Sequence, residues 1–257
     1  MKARVKFSKT GNLRFVGHLD LMRYFQRAIR RAQLPVAYSE GFSPHQILSF
    51  AAPLSVGLES LGEYFDMKLT EEAAEDFSSD SAAERLNREM AEGIRIHSFL
   101  RIPDDAKNCM SIVHAGDYQI RFEAENTGEG SFAGDAGERK APEIWRNFSG
   151  EELSELETAV SSFLSREKIP AVKRGKNQTL REVDVRPMIF LMQMKPEGLF
   201  LRIAQGSEAN LKPALLLDAF AVSEAAGKFL SGLRPRITRL ELYDSSMRSL
   251  ESYGEKF

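Results

Sequence analysis

The chain has 257 residues, of which 42% are hydrophobic and 28% are charged, and its formal net charge is −2. This composition is typical of a globular protein, and the length suggests one large or two small domains. No apolar run approaches the roughly 20 residues that a membrane-spanning helix needs. The first residues, MKARVKF, also lack the apolar core of a secretory signal. The single cysteine, Cys109, excludes an intrachain disulfide and any cluster or zinc site built from several cysteines of this chain. We therefore expect a cytoplasmic protein without a metal or cofactor.

Positive charge is concentrated at the start of the chain. Residues 1–50 contain nine Lys or Arg and two acidic residues, so this segment carries +7 and the remainder carries −9. An uncompensated basic surface attracts polyanions over long distances. The side chains that we expect on this surface are Arg4, Lys6, Arg14, Arg23, Arg27, Arg30 and Arg31. The plain alternative is a solvated helix surface without a ligand.

The basic segment begins with a strand and a helix. Residues 3–8 alternate apolar and polar side chains, which places Val5 and Phe7 on one side of a strand. A short extended segment at 13–16 follows the turn at 10–12. From about His18 to Gln33, apolar residues that begin with Leu19 recur at helical spacing, so we predict an amphipathic helix with its arginines on another face.

The remaining elements predict an α+β fold. In residues 1–103, further strands are expected at 35–38, 47–52, 62–69 and 94–102, with a helix at 82–91. These elements follow the order strand, helix, strands, helix, strand, which is that of a ferredoxin-like, or split βαβ, unit. Residues 104–257 give a second such order, with strands at 111–124, 171–174, 183–194, 198–204 and 237–243 and helices at 149–166 and 213–220. A Gly-rich, acidic segment near 125–142 is expected to be a long loop. The sequence thus predicts two tandem ferredoxin-like units with antiparallel sheets.

Two histidines are candidates for acid–base chemistry. His18 and His45 lie near the basic helix, and histidine with nearby Arg or Lys can cleave a phosphodiester through a 2′-hydroxyl without a metal. The structural alternative is that His18 caps the helix or bonds in the core and that His45 fixes the turn after Pro44. No catalytic base or orienting partner is evident for either.

Aromatic residues accompany the basic ones. Unstacked bases of single-stranded RNA can lie on an aromatic ring while Arg or Lys holds the phosphates. Tyr38 and Phe50 are equally compatible with a core position, whereas Phe42 lies in a loop between Gly41 and Ser43 and is the better exposed platform. A second possible phosphate-binding site, or a solvated hairpin tip, lies later in the chain at Lys173, Arg174 and Lys176.

The segments KFSK (6–9), LRFVGHLDL (13–21) and LPVAYSEGFSPH (34–45) resemble the signature of the radical-SAM-linked family. These are bacterial proteins of undefined activity that are encoded beside, or fused to, a radical SAM protein. Gly17 stands where Ser is commoner, and Gln46-Ile47 replaces a usual Pro-Lys pair. The resemblance implies a radical SAM partner, because one cysteine cannot supply the three-Cys loop of a radical SAM site. A looser similarity links the chain to RAMP-type endoribonucleases that process CRISPR transcripts.

Three functions follow as hypotheses. The first is a non-catalytic RNA-binding accessory protein that presents RNA, such as tRNA or rRNA, to a radical SAM enzyme for modification or processing; His45 and Phe42 would join the arginines in contacting RNA. The second is a metal-independent endoribonuclease that uses His18 or His45. The third is a protein–protein adaptor that docks on an acidic surface of the radical SAM partner without nucleic acid.

Overall fold

The computed structural model describes residues 1–70, 77–123, 145–174 and 179–257. These residues form a mixed α/β protein with a large, mostly antiparallel sheet. The strands are β1 (Lys2–Lys9), β2 (Leu48–Phe50), β3 (Glu59–Lys68), β4 (Ile94–Ile102), β5 (Ala115–Glu123), β6 (Trp145–Arg146), β7 (Pro170–Arg174), β8 (Leu180–Asp184), β9 (Ile189–Lys195), β10 (Gly198–Ala204) and β11 (Arg234–Tyr243). The helices are α1 (His18–Arg31), α2 (Ser79–Arg88), α3 (Cys109–Ile112), α4 (Gly150–Leu164), α5 (Pro213–Ala221) and α6 (Glu224–Leu230).

The chain divides into two compact units that interleave in sequence. Unit 1 comprises Met1–Tyr118, Arg202–Leu211 and Thr238–Phe257, and unit 2 comprises Gln119–Leu201 and Lys212–Ile237. The sequence prediction instead divided the chain once, after residue 103. β5, β10 and β11 each contribute residues to both units, and the division after residue 103 stays a prediction.

The sheet of unit 1 is built around β1 and β3. β1 pairs antiparallel with β3 on one side and β4 on the other, and β2 adds to β3 in antiparallel register. β11 runs parallel to β3, with Thr238 opposite Glu59 and Arg239 opposite Ser60. A Cβ atom at Gly62 of β3 would overlap the carbonyl oxygen of Leu240, so glycine permits this close approach of the two strands.

Helix α1 covers one face of this sheet. Its buried side chains are Leu21, Phe25, Ala28 and Ile29, and the ring of Phe25 lies 4.7 Å from that of Phe7 and 5.0 Å from that of Phe65. Burial of a phenylalanine of this kind stabilises a fold by about 1.5–3 kcal/mol. Leu19 was predicted on the apolar face but is 67% exposed, because the buried stripe begins at Leu21 and runs through Phe25.

Unit 2 packs helices and a small hairpin around its own strands. β7 and β8 form a separate antiparallel pair, in which Lys173 lies opposite Arg181 and Val172 opposite Glu182. α4 buries Leu156, Val160 and Phe163, and the ring of Phe163 lies 5.3 Å from that of Phe220 on α5. These side chains belong to the core of this unit.

Several predicted elements are confirmed and others are wrong. The bounds of β4 and β10 match the sequence prediction. Helix α1 ends two residues before the predicted end at Gln33. Ser149 is the N-cap of α4, as predicted. Residues 13–16 were predicted as extended, but Gly11–Phe15 forms a 3-10 helix. Residues 35–38 make only isolated bridges at Val36 and Tyr38, and α6 was not predicted. The loop predicted near 125–142 lies outside the described residues. The α+β class is confirmed, whereas the tandem ferredoxin-like arrangement stays a prediction.

Candidate nucleic-acid interface

The arginines of α1 differ in their partners. Arg27 and Arg30 are exposed, and neither has a carboxylate partner among the residues that the structure describes. Arg23 is exposed too, and its guanidinium lies 3.5 Å from the exposed carboxylate of Asp20. Arg31 instead donates to the carboxylate of Glu89 at 2.6 Å and to its carbonyl at 3.1 Å. Three of the four arginines are therefore available to an anion, and Arg31 joins α1 to the end of α2.

The loop after α1, residues 39–45, is fixed at its base. The backbone N–H of Ser39 donates to the carbonyl of His45 at 2.8 Å, and an isolated bridge joins Tyr38 to Gln46. The Gln46 side chain then donates to the carbonyl of Gln26, in the middle of α1, at 3.1 Å. Gly41 has φ = +108°, a conformation that glycine adopts without the strain of a side chain. The loop is thus held against α1.

This contact places the arginines beside the loop. On α1, Arg23 precedes Gln26 by three residues and Arg30 follows it by four, so these two side chains share the side of the helix that Gln46 contacts. Arg27 is the next residue around the helix. We call the resulting group the α1–loop surface; it comprises Arg23, Arg27, Arg30, Tyr38, Phe42 and His45.

Two of the three aromatic candidates are exposed on the α1–loop surface. Phe42 has a relative exposure of 111% and Tyr38 of 50%, so both rings are open to solvent. Phe50 is buried and stacks on Phe65 with ring centroids 5.0 Å apart, which assigns it to the core. A fully exposed phenylalanine exposes apolar area to water that a stacked base would cover.

His45 is held by its own loop. Its Nδ1 lies 2.8 Å from the hydroxyl of Ser39 and 3.4 Å from the carbonyl of Ser43, and its backbone N–H donates to the same hydroxyl at 3.1 Å. The ring is exposed, so its other nitrogen, Nε2, remains open to a ligand. Ser39 was not singled out in the sequence, because its role depends on the loop closing on itself.

Arg4 and Lys6 do not belong to this surface, which corrects the sequence prediction. Arg4 is 1% exposed, and its guanidinium binds the carboxylate of Asp66 through two hydrogen bonds of 2.8 and 3.0 Å. Lys6 lies 2.8 Å from both Glu241 and Glu251. Both side chains alternate with Val5 on β1 and so point away from the face that α1 covers. A phosphate group cannot reach the guanidinium of Arg4 in this arrangement.

Arg14 is not part of the α1–loop surface, and Lys173 and Arg174 belong to unit 2. Arg14 is half-buried, 3.6 Å from Glu59, and its guanidinium stacks over Phe15 at 4.6 Å. In unit 2, Lys173 is exposed on β7 opposite Arg181, and Arg174 ends the same strand. Two like charges directly opposite each other repel, which favours an anion beside them. Lys176 and the side chain of Arg174 lie outside the described residues.

His18 occupies a different environment from His45. Its ring is half-buried and meets the edge of Phe50 with centroids 5.7 Å apart. Burial lowers the pKa of His18, and the positive charges of Lys9 and Arg239 act in the same direction, while Glu63 opposes them. No hydrogen bond of its ring nitrogens is found in the described part of the chain. This arrangement favours a neutral imidazole without an orienting partner.

A buried group of charges lies near His18. Arg239 is fully buried and binds the carboxylate of Glu63, with contacts of 2.7 and 2.5 Å. Lys9 is buried as well, donates to the carbonyl of Val16 at 3.0 Å, and has its pKa lowered by burial. Sequence reasoning did not identify this group, because Glu63 and Arg239 are 176 residues apart.

The described residues form no group of three or more His, Cys, Asp or Glu side chains that could hold a metal ion. None of the helices in the described ranges is long and apolar enough to cross a membrane.

These observations define a mixed α/β protein whose exposed helix and aromatic loop together form a cationic surface. The chain belongs to a family of uncharacterised proteins conserved in bacteria, DUF2344, whose model matches residues 2–213. No curated protein matches the chain.

Proposed function

We propose that this protein is a non-catalytic RNA-binding accessory protein that acts with a radical SAM enzyme in RNA modification or processing. The RNA-binding part rests on the α1–loop surface. There Arg27 and Arg30 are exposed and have no carboxylate partner among the described residues. The loop that bears the exposed ring of Phe42 is hydrogen-bonded at its base to the same helix through Gln46. Arginine binds phosphate through a planar fork of N–H donors, and an aromatic ring offers a base a stacking surface. The partner is proposed from the resemblance of residues 6–45 to radical-SAM-linked proteins.

The fold gives the proposal a further argument. The order β1, α1, β2, β3, α2, β4 in unit 1 is the order of a ferredoxin-like unit. We propose that unit 1 is such a unit and that unit 2 is a second one. The RAMP-type similarity rests on this fold analogy, and an analogy of fold alone does not transfer an activity.

The experiment measures binding to bacterial tRNA as the salt concentration is raised. Wild-type protein should bind at low salt and lose affinity steeply, because each phosphate contact releases counterions. The double variant Arg27→Gln, Arg30→Gln should bind about tenfold or more weakly, and the slope of log affinity against log salt should fall by roughly 1–2.

A matched control removes two exposed arginines from β4, through Arg95→Gln and Arg101→Gln. This variant has the same net charge as the first one, so it should retain most of the affinity. Equal losses in both variants, or binding that salt does not weaken, would contradict the proposed site. Co-purification of a radical SAM protein that survives nuclease treatment, without any tRNA binding, would favour the adaptor hypothesis instead.

A second candidate is a metal-independent endoribonuclease, for which the buried charges beside His18 are the specific observation. A neutral His18 near Lys9 is compatible with accepting the proton of a ribose hydroxyl. Incubation with total RNA and EDTA tests this activity. Cleavage that persists undiminished in a His18→Ala, His45→Ala double variant would eliminate it.

A further inference from the structure

On the basis of the proposed RNA binding, we infer that the α1–loop surface binds an unpaired nucleotide. The base of this nucleotide stacks on Phe42. His45, held by Ser39 in the tautomer that carries its hydrogen on Nε2, donates this hydrogen to an acceptor of the same nucleotide. The ligand class is therefore single-stranded RNA, or the loop of a folded RNA, rather than a duplex.

The first argument is the exposure of Phe42. Its ring projects fully into solvent from the loop 39–45, and the loop is fixed at both ends by backbone and side-chain hydrogen bonds. A fully exposed ring on a loop whose base is fixed is suited to stacking, because a base that covers it removes apolar area from water. In a duplex both faces of each base are already stacked, so such a ring has no base face to contact.

The second argument is the hydrogen-bond network of His45. The hydroxyl of Ser39 accepts the backbone N–H of His45 at 3.1 Å, so its own hydrogen is free to donate to Nδ1 at 2.8 Å. The carbonyl of Ser43, which could only accept from Nδ1–H, lies farther away at 3.4 Å. We therefore assign the acceptor role to Nδ1 on the shorter contact, which places the ring hydrogen of the neutral imidazole on Nε2. The exposed Nε2–H is a donor of fixed position, suited to a phosphate oxygen, a ribose 2′-hydroxyl or a base acceptor. Ser39 is thus a positioning residue for His45.

The third argument is the position of the cations. Gln46 ties the base of the loop to Gln26 on α1, so Arg23 and Arg30 lie on the side of the helix that meets the loop. Their guanidinium groups are placed to hold the phosphates that flank a stacked nucleotide. Phosphate contacts position the strand, and the loop supplies the contacts that distinguish an unpaired base.

The test compares a stem-loop RNA with the blunt duplex formed by the same stem. Wild-type protein should bind the stem-loop at least about tenfold more tightly. Phe42→Ala should weaken stem-loop binding by roughly fivefold to a hundredfold, which reduces or removes the preference, whereas duplex binding should not change. Phe42→Trp should retain the preference. Phe15→Ala, which removes another exposed ring of unit 1, is the matched control and should bind both RNAs as the wild type does.

Ser39 is tested separately. In Ser39→Ala, the ¹⁵N chemical shifts of the His45 ring at neutral pH should change from those of one tautomer to those of a mixture, and stem-loop affinity should fall several-fold. Ser39→Thr keeps the hydroxyl and should restore both readouts. Unchanged shifts and affinity in Ser39→Ala would overturn the positioning role.

The outcomes separate this inference from the function on which it rests. Equal wild-type affinity for stem-loop and duplex, or a preference that Phe42→Ala leaves undiminished, overturns the inference while RNA binding stands. Failure to bind either RNA overturns the proposed function and the inference together. Thermal unfolding of each variant shows that the loop substitutions have left the fold intact.

Discussion

Strand β1 and helix α1 are both rich in basic residues, yet their charges serve different purposes. On β1, Arg4 is buried against Asp66 and Lys6 lies between Glu241 and Glu251. On α1, Arg27 and Arg30 extend into solvent without carboxylates from the described residues. The two elements pack on each other through their apolar sides, so their basic side chains point in opposite directions.

The difference shows that a basic segment of sequence is not yet a basic surface. The carboxylates that neutralise β1 come from 62 to 245 residues further along the chain. Burial makes such pairs expensive to break, because a charge left without its partner has lost its water as well. A helix arginine in water has no comparable penalty and remains available to a ligand.

The largest effect is expected where the β1 pairs are broken. Asp66→Ala leaves the buried guanidinium of Arg4 without its counter-charge and removes the acceptor of the Cys109 N–H. We expect a loss of about 3–5 kcal/mol in the free energy of unfolding, measured by urea denaturation. Glu84→Ala, which removes an exposed carboxylate 3.7 Å from Arg88 on α2, should change it by less than about 1 kcal/mol. Similar losses of stability in the two variants would contradict the distinction between buried charge pairs on β1 and exposed pairs on a helix.

The next effect separates stability from binding. Lys6→Gln removes the charge between Glu241 and Glu251, and we expect a cost of about 1–3 kcal/mol in the free energy of unfolding. Its affinity for tRNA and the salt slope should stay at the wild-type values. Arg27→Gln should behave in the opposite way, with unchanged stability and weaker binding. A Lys6→Gln protein that loses RNA affinity while folded would place β1 in the binding surface.

A smaller effect concerns pH. The pKa of His18 is lowered from its ordinary 6.5 by burial, so the unfolded chain binds the proton more readily than the folded one. Stability contributed by neutral His18 is therefore complete above about pH 6.5 and is lost as the pH falls through the folded pKa. The urea midpoint should decrease between pH 7 and pH 5, and His18→Gln should reduce this decrease.

His97 contributes a second part of this pH dependence. Its pKa is also lowered by burial, so His97→Gln should remove a separate part of the same pH dependence. Glu251 and Asp244, whose pKa values are lowered in the folded state, act only at more acidic pH. A decrease between pH 7 and pH 5 that persists in the double His variant would contradict this assignment.

The smallest effect is expected at the exposed ion pair between Asp20 and Arg23 on α1. Asp20→Ala removes the exposed carboxylate that lies 3.5 Å from Arg23. Stability should change by less than about 1 kcal/mol, since the pair is exposed and Asp20 contributes only a first-turn interaction with the helix dipole. Affinity for tRNA should rise slightly, because Arg23 loses a competing anion. A decrease in affinity would show that Arg23 is not a phosphate contact.

Local patterns predicted the elements well. The bounds of β4 and the start of α1 at His18 follow from apolar spacing, which depends only on neighbouring residues. The exposure of Phe42 also follows from its place between Gly41 and Ser43 in a turn. Leu19 was misplaced because several residues of α1 fit an apolar stripe, and only the packing partners decide which stripe is buried.

The pairing of distant charges could not be predicted in this way. Nothing near Arg4 indicates Asp66, and nothing near Glu63 indicates Arg239, since strand pairing brings them together. The contact between Gln46 and Gln26 depends in the same way on the loop folding back on α1. The sequence therefore identified the cations of α1 and the aromatic loop. It did not show that Arg4 is buried away from the α1–loop surface, nor that Ser39 positions His45.

The last twenty residues of the chain complete the first compact unit. Residues 238–257 supply Arg239 to Glu63, Glu241 to Tyr64 and Lys6, and Glu251 to Lys6. A fragment that ended at residue 118 would contain every residue of the α1–loop surface, yet Glu63 would be buried without its cation. Transplanting the surface to another protein as an amino-terminal piece should therefore fail, whereas a fusion that retains the terminal strand should fold.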